Sequence, residues 1–185
     1  DGFNEFTSIL NEYHSFDLEL QNKLIDLRYK IKNSDDLKKY SSEINILERK
    51  ITLFHYKLID KILKENNQKI DLIGFHGQTI FHNSREKISK QLCDGRLLSQ
   101  LTKKLVINNF REEDLKKDGQ GAPLTPIFHK LISNLVNIKF NISFPLNIIN
   151  IGGITNITQV LDNCSNNNNL YAYDIAPGNC LIDEW

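Results

Sequence analysis

An α/β fold is predicted by three observations. Helical apolar stripes and short β-branched runs alternate along the chain, and polar turns, most of them bearing glycine, sit where the short runs end. One stretch, residues 146–161 (LNIINIGGITNITQVL), reads as a buried apolar strand, a Gly152-Gly153 turn and a second, alternating strand. Two adjacent glycines allow φ > 0 and place no Cβ beside the turn. At 185 residues the chain suffices for one large domain or one and a part.

The apolar residues Leu20, Leu24, Leu27 and Ile31 recur at helical spacing, so a helix is expected over residues 17–31. Asn33 or Ser34 can cap a second helix, with Asp35 and Asp36 in its first turn, and the stripe Leu37, Tyr40, Ile44, Leu47, Ile51, Phe54, Leu58 and Ile62 carries it to about residue 64. This stripe is expected to flank a sheet; the alternative is a partner-binding coiled coil. Before it, residues 2–12 are expected to form a strand. Residues 70–75 (IDLIGF) read as a strand buried on both faces. The turn His76-Gly77-Gln78 leads to a strand at 79–82, Asp94-Gly95 opens a helix over 96–101, and 105–109 is a strand. A helix over 123–135 follows the Gly119-Gln120-Gly121 loop. The run 163–169 (NCSNNNN) reads as a solvated hairpin loop, and a strand ending at Asp174 turns through Pro177-Gly178 into a new helix. A domain boundary is expected near 139–144.

Composition narrows the partners. Lys plus Arg equals Asp plus Glu at 23 each, so no net field recruits nucleic acid or an anionic membrane, and a small molecule or a protein is the expected partner. No apolar run approaches the roughly 18 residues that span a bilayer, and no basic region precedes an apolar one at the N-terminus, so the expected compartment is the cytoplasm. Cys93, Cys164 and Cys180 are odd in number and lack C-x-x-C spacing, as reduced thiols would be. The chain has no Met and stops at Asp183-Glu184-Trp185, within the first turns of the expected helix; an internal fragment of a longer protein is therefore expected.

No G-x-x-x-x-G-K-[ST] loop, helix-opening G-x-G-x-x-G or G-x-S-x-G elbow is present, and His76 and His82 have a spacing that matches none of the usual two-His metal motifs. What remains is a set of polar turns: His76-Gly77-Gln78-Thr79, Asp94-Gly95, Asn109-Phe110-Arg111, Gly119-Gln120-Gly121, Gly152-Gly153 and 174–179 (DIAPGN). In an open α/β sheet the strand ends face a common crevice where ligands bind. Carboxylates, amides and a guanidinium at such turns fit a polyol with phosphate groups.

Four motifs carry a specific resemblance: 74–82 (GFHGQTIFH), 118–129 (DGQGAPLTPIFH), 150–158 (NIGGITNIT) and 174–179 (DIAPGN). In that order they resemble the anhydro-N-acetylmuramic acid kinase family of the actin and hexokinase superfamily of two-domain ATPases, with a ribonuclease H-like fold. The resemblance implies that residues 1–143 are a first actin-like domain lacking its first strand and that 144–185 begin a second. It departs from the family pattern at Cys93, where a Gly is usual, and at Ile175-Ala176, where Thr-Gly is usual. The family's opening Gly-Thr-Ser-x-x-Asp-Gly turn is also lacking.

The implied activity is conversion of 1,6-anhydro-N-acetylmuramic acid, ATP and water to N-acetylmuramic acid 6-phosphate and ADP in peptidoglycan recycling, with Mg²⁺ as cofactor. The resemblance allows a homodimer of the full-length protein, and the fragment by itself is expected to be inactive. Asp174 is the implied catalytic base; the alternative is an Asp capping the following helix. Gly152, Gly153, Thr155 and Asn156 are the implied nucleotide-binding residues; the alternative is an ordinary tight hairpin. Gln78, Thr79, Asp94, Arg111 and Gln120 are the implied contacts to the sugar and its lactyl carboxylate, with Arg111 open to being a structural ion pair instead. Two rivals are a non-catalytic sugar- or nucleotide-binding member of the same fold and an interaction protein working through its long helix. Burial of that helix's apolar stripe would end the last of these.

Overall fold

A computed structural model describes residues 5–65, 69–162 and 169–183, and the chain divides into two compact units, Tyr13–Ala122 and Asp1–Glu12 with Pro123–Trp185. The first unit contains α1 (Leu18–Lys30), α2 (Ser34–Lys39), α3 (Ser41–Glu65), β1 (Leu72–Gly74), β2 (Gln78–Asn83), β3 (Ile88–Leu92), α4 (Gly95–Thr102), β4 (Leu105–Ile107) and α5 (Phe110–Lys116). The second contains α6 (Pro126–Phe140), β5 (Leu146–Ile151), β6 (Ile154–Val160), β7 (Leu170–Pro177) and α7 (Cys180–Asp183). The described strands form three small sheets rather than one open sheet: β1-β4, β2-β3 and β5-β6-β7. Only β1 and β4 are parallel, joined through the β2-β3 hairpin and α4.

In the first unit, Asp17 starts α1 by accepting a hydrogen bond from the Leu20 N–H at 2.8 Å. Its Leu20, Leu24 and Leu27, followed by Ile31, pack with Ile44, Leu47 and Ile51 of α3 and with Ile80 and Leu92 of the β2-β3 hairpin. The first half of the long helix's apolar stripe is thus central to the larger core cluster of the unit, and Phe75, Cys93 and Leu98 form a second cluster. Ile44, Leu47 and Ile51 of the stripe are buried in the larger cluster while Phe54, Leu58 and Ile62 are half-buried, so no fully exposed stripe is left to support the interaction-protein reading. The long helix expected over 34–64 is broken once, at Tyr40 (φ −101°, ψ 20°). A capping box starts α2, Asn33 and Asp36 each accepting the other's backbone N–H. At the break, the Tyr40 ring packs with Leu37 against the core.

Elsewhere the local signals are read with varying success. The strand expected over 2–12 does not form in the described part, 5–12, which is irregular and exposed. Residues 1–4 lie outside the described residues. The strand expected over 70–75 is shorter and open on one side, with Leu72 exposed and Phe75 buried. Strand β3 and helix α5 were not anticipated. ISKQL has no clean alternation, and α5, which follows Asn109 in a left-handed conformation (φ 58°) at the expected polar turn, is only 7 residues long, too short to show an apolar stripe. Helix α6 begins later and ends later than expected, with Pro126 in its first turn and Asn141 (φ 52°) closing it. The loop 163–168, with Cys164, lies outside the described residues; Cys93 and Cys180 are free.

In the second unit α6 packs on one face of the β5-β6-β7 sheet. Thr158 and Val160 of β6 are fully buried on that face, and His129 of α6 places its Nδ1 2.7 Å from the Thr158 Oγ1. The opposite face carries Ile149, Ile151, Tyr171 and Tyr173, all exposed. The strand expected to be buried at 146–151 is therefore covered on one side only, because period-2 alternation sends every second side chain away from the single helix.

Ile51 is completely buried among these side chains, and Ile51→Ala is expected to destabilise the protein by about 2–5 kcal/mol in urea titration. Burial holds His129 below its ordinary pKa. Below about pH 6.5 the unfolded chain then binds more protons than the folded one, so this contribution to stability is complete above that pH and is lost as pH falls toward the folded value. Urea midpoints at pH 7.5 and 5.5 should differ less in His129→Gln than in the natural sequence.

Candidate functional site

At the β5-β6 turn, neither Gly152 nor Gly153 has a positive φ, so the expected left-handed turn is not what these glycines provide. Nor does crowding require them. A Cβ on Gly152 would come no closer than 3.8 Å to the Ile154 carbonyl oxygen, and one on Gly153 no closer than 3.9 Å to the Cys180 Cβ. What Gly153 leaves is exposed backbone, while the Gly152 N–H donates to the Ile154 carbonyl at 3.4 Å. The Gly152 and Gly153 carbonyls accept hydrogen bonds from the N–H groups of Asn179 (2.9 Å) and Gly178 (2.8 Å). In a planar trans peptide the N–H points opposite to the carbonyl, so the Gly153 N–H is directed away from Asn179. Gly178 is required locally, because its Cβ would lie 1.9 Å from the Gly152 oxygen.

Register places the acid beside this turn. Asn150 pairs with Asn156, and Asn156 with Asp174. Directly paired residues share a face of the sheet, so these three polar side chains make a row across β5, β6 and β7, on the face that also carries Thr158. The next pair is Thr155 with Ala176, which leaves Ile175 as the extra residue of a β-bulge. Bulges re-aim neighbouring side chains and recur next to active sites. The bulge coincides with the Ile175-Ala176 departure from the family pattern. Asp174 is exposed and lies within β7, while α7 starts only at Cys180; the helix-cap alternative for Asp174 is thereby removed. Thr155 and Asn156 are half-buried.

In the other unit the remaining candidates fall into two groups. Asp94 caps α4, accepting from the Leu97 N–H at 2.8 Å, while its own N–H donates to the Thr52 Oγ1 at 3.0 Å. It lines a polar cavity of about 390 Å³ with Glu48, Gln91, Arg96, Asn108 and Asn109 among the walls. Glu48 accepts from the Lys90 Nζ at 2.7 Å and the Cys93 N–H at 3.3 Å. Glu48 and Thr52 are thus the α3 residues that hold the β3-α4 junction, and sequence reasoning missed them. Their signal was present as a polar pair at i, i+4 beside an apolar stripe. Cys93 is buried, and burial pushes its thiol up, as befits a packing residue.

The second group surrounds Arg111, whose Nε donates to the His76 Nε2 at 3.1 Å and whose Nη1 donates to the Gly121 carbonyl at 2.9 Å. No carboxylate forms an ion pair with Arg111 among the described residues, so the structural ion-pair alternative finds no partner there. Burial lowers its pKa. Gln78 and Thr79 open β2; the Thr79 Oγ1 accepts a long hydrogen bond from the Gln91 Nε2 at 3.4 Å. Gln120 is exposed beside Gly121. Arg111 is not among the residues lining the Asp94 cavity, while the turn at Gly77 lies against Leu92 and Cys93, next to Asp94. Asp174, Gly152, Gly153, Thr155 and Asn156 belong to the other compact unit.

The fold and these residues define a mixed α/β protein with a glycine turn and an exposed carboxylate on one sheet, and with a cation that no carboxylate among the described residues pairs. The chain belongs to the anhydro-N-acetylmuramic acid kinase family, which it matches over residues 4–185. It is 50% identical over 185 residues to the anhydro-N-acetylmuramic acid kinase of Pelagibacter ubique (strain HTCC1062), covering 100% of this chain and 48% of that protein. To the proteins of the same name from Brucella canis and Zymomonas mobilis it is 40% identical over 142 and 141 residues, about 75% of this chain and 36% of each relative. The chain spans about half the length of the Pelagibacter relative and less of the others.

Among the described residues no helix is long and apolar enough to cross a membrane. Gly178→Ala is expected to lower stability by about 1–3 kcal/mol through the clash with the Gly152 carbonyl. Gly153→Ala, whose Cβ would make only an ordinary contact with the Cys180 Cβ at 3.9 Å, should leave the thermal midpoint nearly unchanged; equal losses in the two variants would mean that the Gly152 carbonyl is not what excludes a side chain at Gly178.

Proposed function

We propose that this chain is part of an ATP-dependent sugar kinase that opens 1,6-anhydro-N-acetylmuramic acid with water and phosphorylates the released O6, giving N-acetylmuramic acid 6-phosphate and ADP in peptidoglycan recycling. The observation that carries the reading is the family match, which runs through all four motifs. We also propose the actin- and hexokinase-like two-domain architecture, with residues 1–143 in the first domain and 144–185 opening the second, and a cytoplasmic location.

Asp174 is assigned the general base. As its carboxylate takes a proton from water, the water oxygen bonds to the anomeric carbon and the bond from that carbon to O6 breaks, as in inverting glycoside hydrolysis. Asn150 and Asn156, in one row with Asp174, can hold the carboxylate or the water by amide hydrogen bonds. Gly152, Gly153, Thr155 and Asn156 are assigned to the nucleotide: the Gly153 N–H, on an exposed residue, can face a phosphate oxygen, the Gly152 N–H being engaged with the Ile154 carbonyl at 3.4 Å, and the turn has room for such an approach where a side chain would intrude. ATP would supply the γ-phosphoryl group to O6, in a step that needs chiefly positioning and charge neutralisation. Mg²⁺ is proposed to come with the phosphates, since it keeps several waters and takes one or two carboxylates. Among the described residues there is no group of three or more His, Cys, Asp or Glu side chains that could hold such an ion by themselves.

Gln78, Thr79, Asp94 and Gln120 are assigned to the sugar, and Arg111 to its lactyl carboxylate, which a guanidinium can bind through two parallel hydrogen bonds. A positioned base contributes about 10²- to 10⁴-fold. In the full-length protein Asp174→Asn is expected to lower kcat by at least about a hundredfold while sugar affinity stays nearly intact; near-normal turnover would reject the assignment.

A further inference from the structure

We propose that His76 is a positioning residue that aims the Arg111 guanidinium at the carboxylate of the sugar, a role that rests on the assignment of Arg111 to that carboxylate. The hydrogen-bond roles are fixed by chemistry. The Gly77 carbonyl, 2.9 Å from the His76 Nδ1, can only accept, so Nδ1 carries the proton. The Arg111 Nε, 3.1 Å from the His76 Nε2, can only donate, so Nε2 is the acceptor. His76 is therefore the neutral Nδ1–H form, and its ring is held from one side by backbone while it holds Arg111 from the other.

The second anchor is the Gly121 carbonyl on Nη1, at 2.9 Å. Among the described residues Gly77 (φ 68°) and Gly121 (φ 71°) are the glycines with positive φ. Each sets one acceptor for Arg111, Gly121 directly and Gly77 through His76. Neither position tolerates a side chain. A Cβ on Gly77 would lie 2.3 Å from the Leu92 carbonyl oxygen, and one on Gly121 would lie 2.9 Å from the Leu115 Cγ. Asp114 pins the second loop further by accepting the Gly121 N–H at 2.8 Å.

Two backbone-locked neutral acceptors therefore hold the Nε and Nη1 of a half-buried cation that no carboxylate of the described residues neutralises. Such an arrangement fixes direction without cancelling charge. The Nη2 group, which donates in neither of these hydrogen bonds, and the remaining Nη1 hydrogen are left to present a fork to an incoming carboxylate. A carboxylate partner at either anchor would have satisfied Arg111 internally and left it a structural residue.

The test is calorimetric binding to the full-length protein of two ligands: 1,6-anhydro-N-acetylmuramic acid, and the same anhydro-sugar lacking its lactyl group. Arg111→Met and His76→Ala are each expected to raise the Kd of the carboxylate-bearing sugar at least about tenfold, the scale of a hydrogen bond to a charged group. Neither should change the Kd of the neutral sugar by more than about twofold, and the double variant should bind no more weakly than Arg111→Met alone. His76→Gln, whose amide oxygen reaches the Nε2 position, should retain near-natural binding, while His76→Asn, whose oxygen falls at the Nδ1 position, should behave like His76→Ala. Thermal midpoints monitor folding; if His76→Ala does not fold, the Gln and Asn pair decides. An unchanged Kd in Arg111→Met would overturn both the carboxylate assignment and the inference. If Arg111→Met weakens binding but the His76 variants do not, if they weaken both sugars equally, or if their loss adds to that of Arg111→Met, the positioning role is wrong and the carboxylate assignment stands.

Discussion

Two backbone hydrogen bonds, from the Gly178 and Asn179 N–H groups to the Gly153 and Gly152 carbonyls, are the constraint on which the second unit's site depends. They tie the end of β7 to the β5-β6 turn, and they do so only because Gly178 has no side chain to strike the Gly152 oxygen. With the turn carbonyls committed in this way, the Gly153 N–H is turned outward. The same tie holds β7 in the register that puts Asp174 level with Asn156 and Asn150. Backbone donor and carboxylate are thus placed by one piece of main-chain geometry rather than by side-chain packing, which would suit a candidate site whose Asp174 and Gly153 are exposed.

The first unit solves the same problem by a different device. Its core is the apolar stripe shared by α1, α3 and the β2-β3 hairpin, and two polar residues of α3 extend that rigidity to the surface. Thr52 and Glu48 hold the main chain at Asp94 and Cys93, so the cap of α4 and the polar cavity beside it are registered against the core. Arg111 is held by acceptors whose positions are set by left-handed glycines. In both units the described glycines matter for what the backbone beside them can approach, and among the described residues a left-handed φ enters the reason at Gly77 and Gly121 alone.

The four motifs and the helical stripes were legible because they are local: apolar spacing reports burial on one face, and glycine with Asn, Asp or Thr reports a polar turn. Helix α1, the α3 stripe, the Gly152-Gly153 hairpin and the strand carrying Asp174 were read on that basis. Strand β3 was not, because ISKQL owes its pairing to β2 rather than to its own pattern, and α5 was not because its 7 residues are too few to show an apolar stripe. Glu48 and Thr52 could be seen as a polar pair at i, i+4, but their role could not, because their partners lie more than forty residues away.

The sequence by itself determined the mixed α/β character, the family and the identity of the candidate residues, since each of these is written in residue types at short spacing. Tertiary structure alone decided which of them work together. It set Asp174 in one row with Asn150 and Asn156, because strand register is a long-range property that no single strand encodes. It removed Asp174 from the helix cap by extending β7 to Pro177. It also gave Arg111 two neutral anchors in place of an ion pair, because the loops bearing His76 and Gly121 meet α5 only when the chain is folded.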